Sequence, residues 1–271
     1  MAVEVRPFGT SLGAEIAGID LSHPIGAGDK AVLTRALGDH LALVFRDQVL
    51  TPDQYLAAAT VFGPPMRQHY SQHNMEAFPN IGLVWHRNGQ KPAEAWHTDH
   101  TNREKPPAAT ILYGVEIPSK GGGTSVANMR AAYLALPETE QTKLRGLRTV
   151  NTLDDTHDDT RREDVEKFGK PIVHPMVRTH PLHGSPAVYF HVTKTKQIEG
   201  MTPTDSRAYL RDLLDRMIRP EIVYTHQWRK GDVLVIDDRA TMHRAHADYD
   251  RSENRVLWRI IVEGDRPVLV Q

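Results

Sequence analysis

The densest chemical signal in this 271-residue chain is the segment Trp96-His97-Thr98-Asp99-His100. In an extended strand, residues two apart point to one side, so His97 and Asp99 would offer an imidazole and a carboxylate to a single point. A third neutral imidazole would complete two His and one carboxylate on one face of an iron(II), leaving three positions open for substrate and oxygen. The chain has 15 His. His243 is favoured among them by its place, directly after the apolar run Val233 to Ile236, where a turn can hold it at the mouth of a β core. Two His and an Asp can equally hold zinc with an open water position, so a zinc-type metallohydrolase is the competing chemistry. Farther on, alternation in Arg255-Val256-Leu257-Trp258-Arg259-Ile260 puts both arginines on one face with Leu257. Two inward guanidiniums call for anions, because burying unpaired cations is costly and the planar fork of Arg grips a carboxylate or sulfonate through two hydrogen bonds.

These side chains need rigid elements beneath them. Short β-branched or aromatic runs separated by turn signals predict strands over 41–45, 108–115, 187–192, 221–227, 232–236 and 255–262, with shorter strands joined by turns within 3–21. Helices are expected over 29–40, over 51–59 where Thr51-Pro52 supplies a cap and a first-turn proline, over 131–136 and 137–147, and over 204–218 after Thr202-Pro203. The result is mainly β with flanking helices. No repeat or composition break divides the chain, so one catalytic domain over 1–271 is expected. Asp154 to Glu163 reads DDTHDDTRRE, which fits a solvated loop, with a lid over the site as the functional alternative.

Composition narrows the chemistry further. With 33 Lys+Arg against 34 Asp+Glu, the formal charge is −1, which lacks the basic excess of a protein that grips a phosphate backbone. Nucleic acid is not expected as a partner. The absence of Cys removes thiolate zinc sites, iron–sulfur clusters and cysteine nucleophiles, so any metal must rest on His and carboxylate. No apolar run reaches the ~18 residues of a membrane helix, and the first residues lack the order of a signal peptide, so no membrane partner and a cytoplasmic location are expected.

The ordered motifs Leu12-Gly13-Ala14-Glu15-Ile16-Ala17-Gly18-Ile19-Asp20-Leu21, Val44-Phe45-Arg46-Asp47-Gln48, Trp96-His97-Thr98-Asp99, Gly121-Gly122-Gly123-Thr124, His174-Pro175, Arg178-Thr179-His180-Pro181, Ile198-Glu199-Gly200 and the block from His243 to Arg259 span nearly the whole chain. In these the chain resembles the iron(II) and 2-oxoglutarate dependent dioxygenases of the taurine and phenoxyacetate herbicide dioxygenase family. The resemblance implies a double-stranded β-helix, that is, a cupin-like jelly roll. It also implies His97, Asp99 and His243 as iron ligands, Thr124 and Arg255 as contacts of 2-oxoglutarate, and Arg259 as the partner of the substrate's own acidic group. O2 would be the co-substrate, succinate and CO2 products, and a small organic carboxylate or sulfonate the substrate. Hydroxylation of a C–H bond is the leading outcome, with desaturation or epoxidation as alternatives; halogenation is disfavoured because Asp99 fills the place a halide would need.

Several positions depart from taurine dioxygenase. An Asn four places before its first ligand becomes Ala93, an apolar pair after the ligand Asp becomes His100 and Asn102, and an aromatic before Ile-Glu-Gly becomes Lys194. Together they imply a more polar pocket with room for an extra carboxylate. His69 and Tyr70, in the loop after Phe62-Gly63, are further substrate-contact candidates. His174, His180 and His246 are expected to serve the fold. A dimer or tetramer is compatible with the family.

Overall fold

The computed structural model describes residues 3–67, 71–88, 93–153 and 162–269. Its largest element is an eight-stranded sheet running Glu4–Pro7, Ala14–Ala17, Ala42–Phe45, Val233–Asp237, Ala109–Glu116, Val256–Val262 and Pro65–Met66, with Gly82–Trp85 also paired to Val256–Val262. All neighbours are antiparallel except Ala14–Ala17 against Ala42–Phe45. The strand Val233–Asp237 is buried at every residue, which its unbroken apolar run requires of a strand covered on both faces.

Two apolar cores provide that cover. Leu112, Leu234, Ile236 and Leu257 face one core, which also takes Val126, Ala127 and Met242 from a three-stranded sheet of Val223–His226, Thr124–Asn128 and Thr241–Ala245. Ile111, Tyr113, Val233, Val235 and Ile260 face the other, beneath two helices. The first helix, Ala27–His40, buries Leu33, Ala36 and Leu37, the three-and-four spacing of a helical stripe. The second, Pro52–Ala59, opens on a capping box between Thr51 and Gln54 with proline in its first turn. Its Tyr55 hydroxyl lies 2.8 Å from the Ile111 carbonyl and 3.1 Å from that of Trp258, so one buried O–H clasps two neighbouring strands from behind. A further helix, Pro203–Met217, is capped by Thr202 and buries Leu210, Leu213 and Met217. Among the described residues no helix is long and apolar enough to cross a membrane.

Mainly β with flanking helices is therefore what the chain forms, with local differences from the sequence reading. The strand expected over 187–192 is only Pro186–Val188, and the one expected over 221–227 opens with a single tight turn at Pro220–Ile222 before Val223–His226. The His97 to Asp99 segment is not a strand: His97 makes one isolated bridge and the chain then turns. Of the polar stretch from Asp154 to Glu163, positions 154–161 lie outside the described residues, and Arg162–Phe168 is helical.

The histidines expected to serve the fold do so. His174 Nε2 lies 2.8 Å from the Arg103 carbonyl, and His246 Nε2 lies 2.7 Å from the Ser125 hydroxyl. His180 accepts the Leu182 N–H at Nδ1, so its Nε2–H donates to Asp237, 3.1 Å away. Asp237 also accepts from the backbone N–H and Nε of Arg239 at 3.0 and 2.9 Å. Burial alone would raise this carboxyl, but Arg239 and His180 hold it below its ordinary range. A depressed carboxyl contributes stability that is complete above its unfolded pKa and is lost as pH falls through the folded value. Asp237→Ala, which strands Arg239 in the interior, should cost about 3–5 kcal/mol, measurable by urea unfolding at neutral pH.

Candidate metal and cosubstrate site

The isolated bridge is the foundation of the site. His97 N–H donates to the His243 carbonyl at 3.0 Å, and His243 N–H returns the bond at 2.7 Å. This reciprocal pair sets the two imidazoles side by side, their ring centres 4.3 Å apart. Asp99 comes round in the following turn, which Thr98 pins by donating its hydroxyl to the Asp238 carbonyl at 2.8 Å, while His100 takes left-handed backbone at φ 47°. One ligand atom from each of His97, Asp99 and His243 then lies within 4.8 Å of the others, all three side chains buried.

The protonation states suit a cation. His97 Nδ1 lies 2.8 Å from the Ala95 carbonyl, so it carries the proton and leaves the Nε2 lone pair bare. Burial pushes His97 down and His243 down to about 3, so both rings are neutral at pH 7. For Asp99, burial would favour the neutral acid, but the Arg259 guanidinium above all, with Lys194, outweighs it and keeps the carboxyl ionised. Two neutral imidazoles and one carboxylate are a donor set that could hold a divalent ion.

Behind Asp99 sits a proton relay that the sequence did not reveal. The Thr110 hydroxyl lies 2.8 Å from Asp99 Oδ2 and 2.7 Å from Asp238 Oδ2. A hydroxyl has one proton to give, so bonding both carboxyls requires one of them to be a donor. Asp238 is that donor: complete burial and the neighbouring Asp99 charge push it well above the usual carboxylate range. The order is thus Asp238 to Thr110 to Asp99, with Asp238 Oδ1 also 3.7 Å from His243 Nδ1. Removing such a support typically costs ten- to a hundredfold in metal affinity. Thr110→Val should therefore weaken divalent-metal binding by about tenfold at unchanged fold, as read by competition with a chromogenic chelator.

A second cluster lies beside the triad. Pairing of Thr124–Asn128 with Thr241–Ala245 sets Val126 opposite His243, so Thr124, two residues away, shares His243's face. Thr124 accepts the Trp228 indole N–H at 3.0 Å, which leaves its own proton to donate. Arg255 is 5% exposed, donates Nε to the Gly122 carbonyl at 2.7 Å and reaches within 3.4 Å of Thr124 Oγ1. Gly122 is required here: its φ is +68°, and a Cβ would come within 3.0 Å of the Arg255 side chain. Among the described residues no carboxylate forms an ion pair with Arg255, whose guanidinium burial pushes down to about 10. An unmatched buried cation beside a free hydroxyl proton is a receptor for an anion.

Arg259, opposite Leu112 in the sheet register, faces the same interior, and its Nη1 lies 3.8 Å from Asp99 Oδ2. Lys194 is also drawn in, at 8% exposure. Its backbone N–H donates to His191 Nδ1 at 3.2 Å and its carbonyl accepts the Thr152 N–H at 3.0 Å. Burial pushes the ammonium down to about 8, against the pull of Asp99. His191 was not foreseen from sequence. Its Nδ1 accepts backbone N–H bonds from both Thr193 and Lys194, which makes it the Nε2–H tautomer, and its ring centre is 5.5 Å from that of His97. His69 and Tyr70 lie outside the described residues.

The family model for taurine catabolism dioxygenase TauD, TfdA family matches residues 4–261. The chain belongs to the TauD/TfdA dioxygenase family. It is 30% identical to the alpha-ketoglutarate-dependent 2,4-dichlorophenoxyacetate dioxygenase of Cupriavidus pinatubonensis over 99% of this chain and 100% of that one. It is 32% identical to an alpha-ketoglutarate-dependent sulfate ester dioxygenase of Pseudomonas putida, over 99% and 92% of the two chains. A crystal structure of a taurine dioxygenase from Burkholderia xenovorans superposes with a TM-score of 0.86 at 32% identity, covering 99% of this chain and 91% of that one. The crystal structure of AAD-2 in complex with Mn(II) and N-oxalylglycine does so at 0.84 and 30% identity over the full length of both. As a TauD/TfdA member the chain is a dioxygenase, an oxidoreductase, and the family's dependence on 2-oxoglutarate and a metal goes with that membership.

Proposed function

We propose that this chain is a non-haem iron(II), 2-oxoglutarate-dependent oxygenase that oxidises a C–H bond of a small organic anion, by hydroxylation, with release of succinate and CO2. The observation that carries the reading is Arg255, buried and in no ion pair with a carboxylate among the described residues, on the same interior as a buried His-Asp-His cluster. A zinc hydrolase needs the cluster alone; a second, prepared anion receptor beside it is what a dicarboxylate cosubstrate needs. The double-stranded β-helix is the corresponding fold reading, supported by two sheets enclosing one core.

In this reading His97, Asp99 and His243 hold iron(II), which together with 2-oxoglutarate supplies the activation of O2 when bound. The rest falls to the chain. Thr124 donates its hydroxyl proton and Arg255 its Nη hydrogens to the distal carboxylate of 2-oxoglutarate, which fixes the cosubstrate from its far end. Thr110 and the protonated Asp238 keep Asp99 aimed and ionised. Arg259 receives an acidic group of the substrate, and its 3.8 Å approach to Asp99 brings that substrate close to the metal ligands. Burial of all three ligands shields the site from bulk water. Relatives named for phenoxyacetate, phenoxypropionate and sulfate ester substrates agree with an anion in that place.

Anaerobic titration of the protein with iron(II) and then 2-oxoglutarate should raise a charge-transfer absorption, and admitting O2 with a range of small acids should release succinate. A protein that binds zinc but shows no 2-oxoglutarate-dependent band is the outcome that defeats the proposal.

A further inference from the structure

We propose that the chain carries a second anion site, apart from the metal and cosubstrate site, in which the buried guanidinium of Arg178 receives the carboxylate of a small, largely apolar organic acid.

In the block Arg178-Thr179-His180-Pro181, His180 is engaged with Asp237; the arginine is not. The strand Val177–Thr179 runs antiparallel to Pro186–Val188 with Arg178 opposite Ala187. The Arg178 side chain therefore shares a face with Ala187 and, two residues on, with Tyr189, whose ring centre lies 5.0 Å from the guanidinium carbon. Arg178 is only 1% exposed, yet its Nε and Nη1 make no hydrogen bond, and among the described residues it forms no ion pair. An aromatic face offsets only part of the cost of taking a cation out of water, so an unpaired guanidinium in the interior calls for an anion.

Space for one lies alongside. A cavity of about 500 Å³ has Arg178 on its inner side, Pro181, Pro186 and Leu269 as apolar walls, and the exposed Arg145 and Arg266 at its rim. That volume is in the range of small-molecule sites. No metal ligand borders the cavity, and neither Arg255 nor Arg259 does. Its frame is held by backbone bonds: His180 N–H donates to the Ser185 carbonyl at 2.8 Å and Gly184 N–H to the His180 carbonyl at 2.9 Å, which closes the turn between the two strands. Thr179 N–H donates to the Val268 carbonyl at 2.7 Å, which ties the segment bearing Leu269 to the strand bearing Arg178. On the rim, Arg266 stands 3.6 Å from Glu104, while Arg145 donates Nε to the Tyr133 hydroxyl at 2.7 Å and forms no ion pair among the described residues. Together these features favour a monocarboxylate. The planar fork of Arg178 suits the acid group and the walls suit an apolar body. A second negative end would meet the exposed Asp265, which also borders the cavity.

Calorimetry of the full chain with 4-bromobenzoate, set against the neutral 4-bromobenzamide, tests the site, and anomalous scattering from bromine in co-crystals locates the probe. The acid is expected in this cavity, bound about tenfold or more tightly than the amide, as a charge-assisted fork requires. Arg255→Ala should leave that affinity unchanged, since the two sites are separate. Arg178→Met, which keeps an apolar side chain of similar length, should bring the acid down to the affinity of the amide. Arg145→Glu, a change confined to the exposed rim, should weaken the acid by about threefold. No bromine in this cavity, equal affinity for acid and amide, or loss of the affinity in Arg255→Ala overturns the proposal. So does an affinity for the acid that is unchanged in Arg178→Met, or in Arg145→Glu should Arg178→Met not fold.

Discussion

Single replacement of His97, Asp99 or His243 by Ala is expected to abolish turnover and to reduce iron(II) binding below detection at micromolar metal, with the melting profile of the metal-free protein little changed. The imidazoles of His97 and His243 lie side by side, but the framework that positions them is the backbone exchange between the two residues, which an Ala at either place retains. Two remaining ligands cannot form the facial set. Equilibrium dialysis against iron(II), alongside a succinate-release assay, distinguishes lost ligation from lost fold. Full turnover by any of the three variants at low micromolar iron contradicts the assignment.

Arg255→Ala should act differently, raising the apparent KM for 2-oxoglutarate by about ten- to a hundredfold, the equivalent of ~1.5–3 kcal/mol for a lost charge-assisted hydrogen bond. The metal-free protein should lose little stability, because Arg255 is there a buried cation whose hydrogen-bond partners among the described residues are the Gly122 carbonyl and the Thr124 hydroxyl. A residue that serves binding at the expense of the empty fold shows the usual opposition between function and stability. Steady-state kinetics at saturating substrate, with a parallel melt, measures both effects; an unchanged KM removes Arg255 from the cosubstrate.

His97, Asp99 and the two inward arginines were legible as candidates because their pattern is local: His-x-Asp, and two arginines at alternating positions of one strand. Helices announced by caps, at Thr51-Pro52 and Thr202-Pro203, were legible for the same reason. What escaped was everything whose meaning depends on a distant partner. Thr110 and Asp238 read as an ordinary strand residue and an ordinary turn acid until the fold brings their side chains within 2.7 Å. The strand Thr124–Asn128 shows no apolar alternation, because Thr124, Ser125 and Asn128 are buried with polar partners supplied by Trp228, His246 and Ser11. The run 187–192 has strand composition but ends early, since the ring of His191 captures the N–H groups of Thr193 and Lys194 and rolls the chain into a turn.

The order of strands in the large sheet has a consequence for the protein's birth on the ribosome. Ala42–Phe45 and Ala109–Glu116 are not neighbours; Val233–Asp237 fills the slot between them, and Val256–Val262 then closes against the far side of Ala109–Glu116. Synthesis runs from the N-terminus, so two sticky strand edges must wait, unpaired, until nearly the whole polypeptide has emerged. Open edges of this kind invite pairing between nascent chains. The last strands to be made are thus also the ones that complete the sheet and carry His243's neighbourhood, Arg255 and Arg259. A chain released early would lack His243 and leave these strand edges open, and so would be prone to pair with other chains.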